Sequence, residues 1–358
     1  MESPPETRPA APSRTLRPFA SLLWAAFFLL ALEIALEVRA IGRGYGGVLL
    51  HRGAGVSAPQ TTAEPEFGPT PDFPFRSRIY TPEETREATS LWLASSSYGE
   101  DIYVWAQQLF AVQLGKALQK PVINASHGGN TIASNQRELN KLGPKFEPDF
   151  VLLYQMSNDI DLISERLAAG LPAGATPGAG AGSGQSFAPV SPWIQGMTTY
   201  RQLKSHVSSR VAEHLPLWDD LDAHTPPGSA SPVELFRSGV ESFLDSAEAL
   251  GATPVLITFA TAYGPANANE LPAEIVRQNL AMNIVLSATG WIKSIAEFND
   301  ELRRIAKERD LVCIDLAAEL AGHPELFRDL WHFTPKGHTR VAELLSSSLT
   351  AHFHELAP

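Results

Sequence analysis

Near its C-terminus the chain reads Asp329-Leu330-Trp331-His332, followed by Phe333-Thr334-Pro335-Lys336-Gly337. A carboxylate three residues ahead of an imidazole can reach it across a turn. It then fixes the tautomer and prepares the ring as a general base. A base of this kind needs a nucleophile, and Ser95, Ser96 and Ser97 follow the apolar run Leu91-Trp92-Leu93. Two further segments carry donors for developing negative charge. Gly128-Gly129-Asn130 offers backbone amides without obstructing side chains, and Asn158-Asp159 offers a side-chain amide. A nucleophile, an oriented base and N–H donors aimed at an oxyanion are what acyl transfer requires. Each residue also has an ordinary use: serines cap helices, glycines make turns, and a histidine can sit idle on a loop. It is their combination that points to chemistry.

The elements between these segments suit the task. Leu91-Trp92-Leu93 reads as a strand, with a helix over about 104–118. Pro121 to Asn124 is a second strand, and the segment from Ala125 opens a helix to about Leu142. Phe150 to Tyr154 is a third strand. After an interruption, Ser231-Pro232-Val233-Glu234 is a capping box with proline at the first helical position. Its helix runs to Leu250 and stops at Gly251. Strands follow at 254–260 and 311–316, with an amphipathic helix over 295–309 between them. Repeated strand–loop–helix units predict a three-layer α/β/α sandwich with a five-stranded parallel sheet, flavodoxin-like in plan. The candidate residues then fall on loops at the C-terminal strand ends, where open α/β sheets bind ligands.

These residues resemble the SGNH (GDSL-type) hydrolases, whose blocks contribute Ser, Gly, Asn and His in this order. Asn124 to Thr131 resembles the family's second block and implies an oxyanion glycine at Gly129. Met156-Ser157-Asn158-Asp159 resembles the third block and implies an oxyanion asparagine at Asn158. Asp329 to His332 matches D-x-x-H. The likeness covers about 88–165 and 231–350. The first block departs from the family's G-D-S-x-x-x-G, because the chain reads Ala94-Ser95-Ser96-Ser97-Tyr98-Gly99. Counting from the strand end puts the nucleophile at Ser96, the preferred reading. Counting back from Gly99 puts it at Ser95, and Ser97 is a lesser alternative. The resemblance implies Asp329 and His332 as acid and base, and an ester hydrolase or O-acyltransferase.

The rest of the chain bounds where such an enzyme works. Its 358 residues suffice for one large α/β domain with appendages, and a net charge of −11 argues against a nucleic-acid partner. The single cysteine, Cys313, excludes an internal disulfide. Ten histidines show no H-E-x-x-H spacing, so neither metal nor cofactor is expected. Residues 1–17 are polar, with Arg8, Arg14 and Arg17, and precede an apolar segment at 18–38. A basic flank ahead of such a segment predicts a cytoplasmic N-terminus and an exported domain. The segment reads as a single transmembrane anchor; cleavage as a secretory signal is the alternative. Residues 39–87 read as a linker and 88–358 as the hydrolase-like domain, with a low-complexity, disordered insertion at about 168–192. The substrate expected from location and resemblance is an ester-linked acyl group, most plausibly O-acetyl, on an exported or cell-surface polysaccharide. A lipid esterase is one alternative. A non-catalytic carbohydrate-binding or assembly protein on a decayed hydrolase scaffold is the other.

Overall fold

The apolar runs become five parallel strands, in the spatial order 122–124, 91–94, 150–153, 253–257 and 312–314. The computed structural model describes residues 66–68, 73–170, 217–273, 275–276, 279 and 285–356. The membrane segment expected at 18–38 and most of the insertion expected at 168–192 lie outside them. No helix among the described residues is long and apolar enough to cross a membrane.

In chain order the elements are α1 (Pro82–Glu87), β1 (Leu91–Ala94), α2 (Ser97–Glu100), α3 (Phe110–Leu118), β2 (Val122–Asn124) and α4 (Ile132–Phe146). Then come β3 (Phe150–Leu153), α5 (Ser157–Ala168), α6 (Pro232–Ala249), β4 (Thr253–Ile257), α7 (Ala288–Glu308), β5 (Val312–Ile314), α8 (Leu316–Glu319) and α9 (Pro335–Leu356). From β1 the chain crosses α3 to β2 on one side, and then returns through β3, β4 and β5 towards the other. Right-handed crossovers therefore put α3 on one face and α4, α6 and α7 on the opposite face. Contacts agree: α9 packs on α3, whereas α6 packs on α4 and α7. With both faces covered, β1, β2 and β3 are buried along their whole length. This is why they read as continuous apolar runs rather than alternating ones.

The register aligns the strand ends. Leu93 pairs with Asn124 and Leu152, Ala94 with Leu153, and Leu153 with Leu256. Ser95–Ser97, Ala125–Asn130 and Tyr154–Asn158 therefore all leave one edge of the sheet. Beneath them lies an aromatic cluster. Tyr98 meets Phe259 at 4.8 Å and Tyr154 at 5.3 Å, and Phe110 lies edge-on to Tyr154.

Two boundaries differ from expectation. The globular part begins well before residue 88. Phe73 and Phe75 are buried, Phe75 lies edge-on to Trp92 at 5.4 Å, and α1 is a capped helix. Residues 73–87 thus fold as part of the domain rather than as linker. An aromatic residue between prolines gives no period, so the segment reads as linker until its partners are known. The helix expected from 104 starts at Phe110, after a 3-10 turn at Ala106–Gln108.

Candidate active site

The candidate nucleophiles occupy three successive positions with three different surroundings. Ser95 continues the line of β1, and its hydroxyl is fully buried with no hydrogen-bond partner among the described residues. Ser96 (φ −128°, ψ −147°) precedes the one-turn helix α2. Its Oγ turns inward and accepts a 2.6 Å hydrogen bond from Asn158 Nδ2. Ser97 opens α2, and its half-buried hydroxyl lies 2.9 Å from His332 Nε2. The hydroxyl facing the histidine is therefore that of Ser97, not of Ser96 or Ser95 as the sequence reading preferred. Two residues, Ser95 and Ser96, separate the strand end from the helix start, so the first hydroxyl of the helix falls to Ser97.

Asp329 and His332 are brought together on the loop before α9. His332 Nδ1 lies 2.8 Å from Asp329 Oδ2, while Asp329 Oδ1 accepts from the amides of Trp331 (3.1 Å) and His332 (2.8 Å). A carboxylate accepts only, so Nδ1 carries the proton and Nε2 is left to accept from the Ser97 hydroxyl. Burial disfavours the Asp329 charge, but the hydrogen bond and charge of His332 outweigh it and hold the carboxyl below its ordinary range. The loop is pinned at several points. Ala262 donates to the Leu330 carbonyl (2.8 Å), Arg328 N to the His332 carbonyl (2.7 Å), and Trp331 packs on Trp291.

Gly129 is exposed with φ 85°, a left-handed conformation that glycine adopts without strain. Its amide has no acceptor among the described residues, whereas that of Gly128 donates to Glu100 Oε2 (2.6 Å). A Cβ on Gly128 would approach Ser97 Cβ to 3.9 Å, so this loop borders Ser97. Asn158 spends both amide hydrogens, on Ser96 Oγ and on the Asn130 carbonyl (2.7 Å). Gln155 Nε2 reaches the same carbonyl (2.8 Å) and also Asp159 Oδ2 (2.8 Å). Asp159 Oδ1 in turn accepts from Ile132 N at the start of α4. Burial pushes the Asp159 carboxyl up to about 7. The Asn130 carbonyl thus ties the glycine loop to the third strand end.

α2 is held from behind by residues to which motif reasoning gave no role. Asn124 Nδ2 donates to the Gly99 carbonyl (3.0 Å), and Ser126 Oγ donates to Asn124 Oδ1 (2.6 Å). A Cβ on Gly99 would sit 2.9 Å from both Ser95 Cβ and Ser126 Cβ, so only glycine lets α2 lie this close to the β2 loop. The guanidinium of Arg76 caps the C-terminal end of α2 by donating to the carbonyls of Glu100 (2.7 Å), Asp101 and Val104. Asp101, fully buried just after α2, accepts from His338 Nε2 (3.1 Å) and Arg328 Nη2 (3.2 Å). Burial opposes its ionisation, yet the His338 hydrogen bond and the Arg328 charge bring its pKa down to about 2. His338 Nδ1 accepts from Phe110 N (3.2 Å), so its only ring proton is on Nε2 and the ring is neutral. Burial lowers the His338 pKa, in keeping with that state. Asp101 is therefore held as an anion by Arg328 and by a neutral donor, not by an imidazolium. Among the described residues no group of three or more His, Cys, Asp or Glu side chains is placed to hold a metal ion.

Neither a protein-family model nor a curated protein sequence matches this chain. Solved structures similar to it over most of its length are GDSL-type lipases and esterases, at low sequence identity. A GDSL-like lipase from Bacteroides thetaiotaomicron is 10% identical over 76% of this chain and 91% of its own, with a TM-score of 0.42. An esterase from Pseudoalteromonas sp. is 13% identical over 74% and 99%, with a TM-score of 0.42. An acetyl xylan esterase is 14% identical over 73% and 99%, with a TM-score of 0.41.

Proposed function

We propose that this chain is a serine esterase or O-acyltransferase with Ser97 as nucleophile, His332 as general base and acid, and Asp329 as its orienter. The observation that carries the reading is the unbroken relay Ser97 Oγ–His332 Nε2 (2.9 Å) and His332 Nδ1–Asp329 Oδ2 (2.8 Å) at the C-terminal edge of the sheet. Ser97 Oγ attacks the ester carbonyl while its proton passes to His332 Nε2. Asp329 stabilises the imidazolium that forms. The amides of Ser97 and Gly129 are the first donors for the oxyanion, and Asn158 joins when one of its hydrogens leaves Ser96 or Asn130. His332 then returns the proton to the leaving alkoxide. A second hydroxyl, from water or from a sugar, resolves the acyl-enzyme by the same steps in reverse.

The substrate in this reading is an O-acyl, most plausibly O-acetyl, group on an exported polysaccharide. The basic flank before 18–38 would orient the chain as a membrane-tethered, extracytoplasmic enzyme. Protease digestion of spheroplasts checks the orientation: a domain protected until lysis would sink it. A fluorophosphonate probe tests the chemistry. Labelling at Ser97, located by peptide mass spectrometry and lost on prior heat denaturation, is expected. A natively folded chain that never labels would be a binding or assembly protein on a hydrolase-like scaffold.

A further inference from the structure

The turn that carries Gly129 is closed by Asn130 N, which donates to the His127 carbonyl (3.1 Å). Gly129 takes its second central position with φ 85°, and Gly128 at the first has no positive φ. That is the pattern of a type II turn. The turn is tied to the third strand end and to α4. The Asn130 carbonyl accepts from Asn158 (2.7 Å) and Gln155 (2.8 Å), and His127 Nε2 lies 3.2 Å from Glu138 Oε1. One further bond runs to α2. The Gly128 amide donates to Glu100 Oε2 (2.6 Å), and among the described residues no other bond joins residues 127–130 to α2.

Glu100 is the last residue of α2 and Ser97 the first, three apart and so on one face of a single turn. Ser97 faces His332, and Glu100 holds Gly128. The backbone at Glu100 is itself fixed, because Arg76 donates to its carbonyl (2.7 Å). A Cβ on Gly128 would stand 3.3 Å from Glu100 Oε2, so the half-buried carboxylate fits against a bare glycine backbone. Type I and type II turns differ by a flip of the central peptide, and a pair of glycines adopts either form without strain. The Gly129 N–H belongs to that peptide.

We propose that Glu100 is a positioning residue for the oxyanion: its carboxylate clamps the Gly128 amide and so holds the Gly128–Gly129 peptide with the Gly129 N–H towards the acyl oxygen. The inference rests on the esterase reading above and adds to it a link between nucleophile and oxyanion donor. Both then hang from one helical turn, and their spacing is set within it rather than across two independent loops.

The test uses the full chain in detergent, with p-nitrophenyl acetate as ester and a fluorophosphonate as probe. A hydrogen bond to a charged acceptor shifts a two-state peptide flip by roughly tenfold, so Glu100→Ala should lower kcat by about that factor. The loss stays below the roughly 10²–10³-fold of an oxyanion donor removed outright. KM should stay within about twofold and the melting temperature unchanged, because the clamp acts on the tetrahedral state rather than on substrate binding or the fold. Phosphonylation, which also builds charge on an oxygen, should slow in step with kcat. Glu100→Gln keeps an acceptor oxygen at the same reach and should return kcat to within about threefold of wild type. A Glu100→Ala variant with kcat within about twofold of wild type overturns the proposal, as does a Glu100→Gln variant no faster than Glu100→Ala. A kcat loss that disappears when turnover is counted per folded molecule overturns it too, since Glu100 is then a structural tie alone. If Glu100→Ala does not fold, Glu100→Asp, one methylene short of Gly128, carries the same expectation and the same refutation. A wild-type chain that neither cleaves nor labels is a failure of the esterase reading, and the clamp falls with it. An active wild type with an unaffected Glu100→Ala sinks the clamp alone.

Discussion

Replacing Ser95, Ser96 and Ser97 by alanine one at a time should give three distinct outcomes. Ser97→Ala removes the oxygen 2.9 Å from His332 Nε2, the nucleophile of the proposed relay. Members of such a relay act as a unit, and loss of one costs about 10³-fold or more in kcat. Stability should barely change, since the hydroxyl is half-buried at the edge. Ser96→Ala removes one acceptor of Asn158 Nδ2 and leaves the other, the Asn130 carbonyl. A net hydrogen bond is worth about 1 kcal/mol, so a loss of that order is expected. Activity should fall by about tenfold or less, because one oxyanion donor in full is worth about 10²–10³-fold and here it is only loosened. Ser95→Ala deletes a buried hydroxyl without a partner among the described residues. Such a group carries a desolvation penalty of about 1–3 kcal/mol, set against a small void left behind. The variant should be neutral or up to about 1 kcal/mol more stable, with activity intact. Hydrolysis of a chromogenic acetyl ester, fluorophosphonate labelling and urea melts read all three. Turnover and labelling that survive in Ser97→Ala and vanish in Ser96→Ala would refute the assignment. A Ser95→Ala variant destabilised by more than about 2 kcal/mol would refute the account of its burial.

Asp329→Asn can keep both amide bonds through Oδ1 but presents an NH₂ where His332 Nδ1–H now donates. The ring must then protonate on Nε2 and can no longer accept from Ser97. We expect about 10³–10⁴-fold lower kcat at an unchanged melting temperature, and a loss below tenfold would contradict the tautomer argument. Asp101 has its folded pKa near 2, below the ordinary 3.8. Its contribution to stability is thus fully present above pH ~3.8 and is lost as pH falls through ~2, a total of roughly 2 kcal/mol. Asp101→Asn at neutral pH strands Arg328 and should cost about 3–5 kcal/mol. In acid urea melts the wild type should lose its advantage over this variant; a difference independent of pH between 2 and 5 would argue against the charge.

The sheet was legible because parallel strands covered on both faces must be apolar throughout, and the helices between them carry caps. Ser231 and Glu234 form their reciprocal box as the spacing implies. Asp329 and His332 were legible because three residues of turn suffice to join them. Which serine faces His332 was not, because a strand end is defined by pairing with neighbours, which sequence does not display. Taking the last of the three serines would have set Ser95 and Ser96 at the G-D positions of the family pattern. Ser96 then has a task there, accepting from Asn158. Arg76, Asp101 and His338 could not have been found from spacing. They come from segments far apart in the chain, and His338 reads as one more residue in an amphipathic helix.

Among the described residues two Asp–His pairs occur, and their differences decide which one can serve the proposed mechanism. Asp101–His338 is sealed. One ring nitrogen takes the Phe110 amide proton, the other gives its proton to Asp101, and neither residue reaches solvent. No exchangeable site remains, so this pair can only hold shape. Asp329–His332 has the same chemistry with one nitrogen left for a hydroxyl at the sheet edge. Arg328 couples the two. Its side chain binds Asp101 behind the serine helix, its guanidinium lies 4.6 Å above the Tyr103 ring, and its amide donates to the His332 carbonyl. The buried pair therefore fixes where Asp329 and His332 stand relative to Ser97. A buried ion pair adds little net stability once its desolvation is counted. Here its value is positional, since a 2.9 Å contact between two distant loops survives only if both are tied to one rigid point.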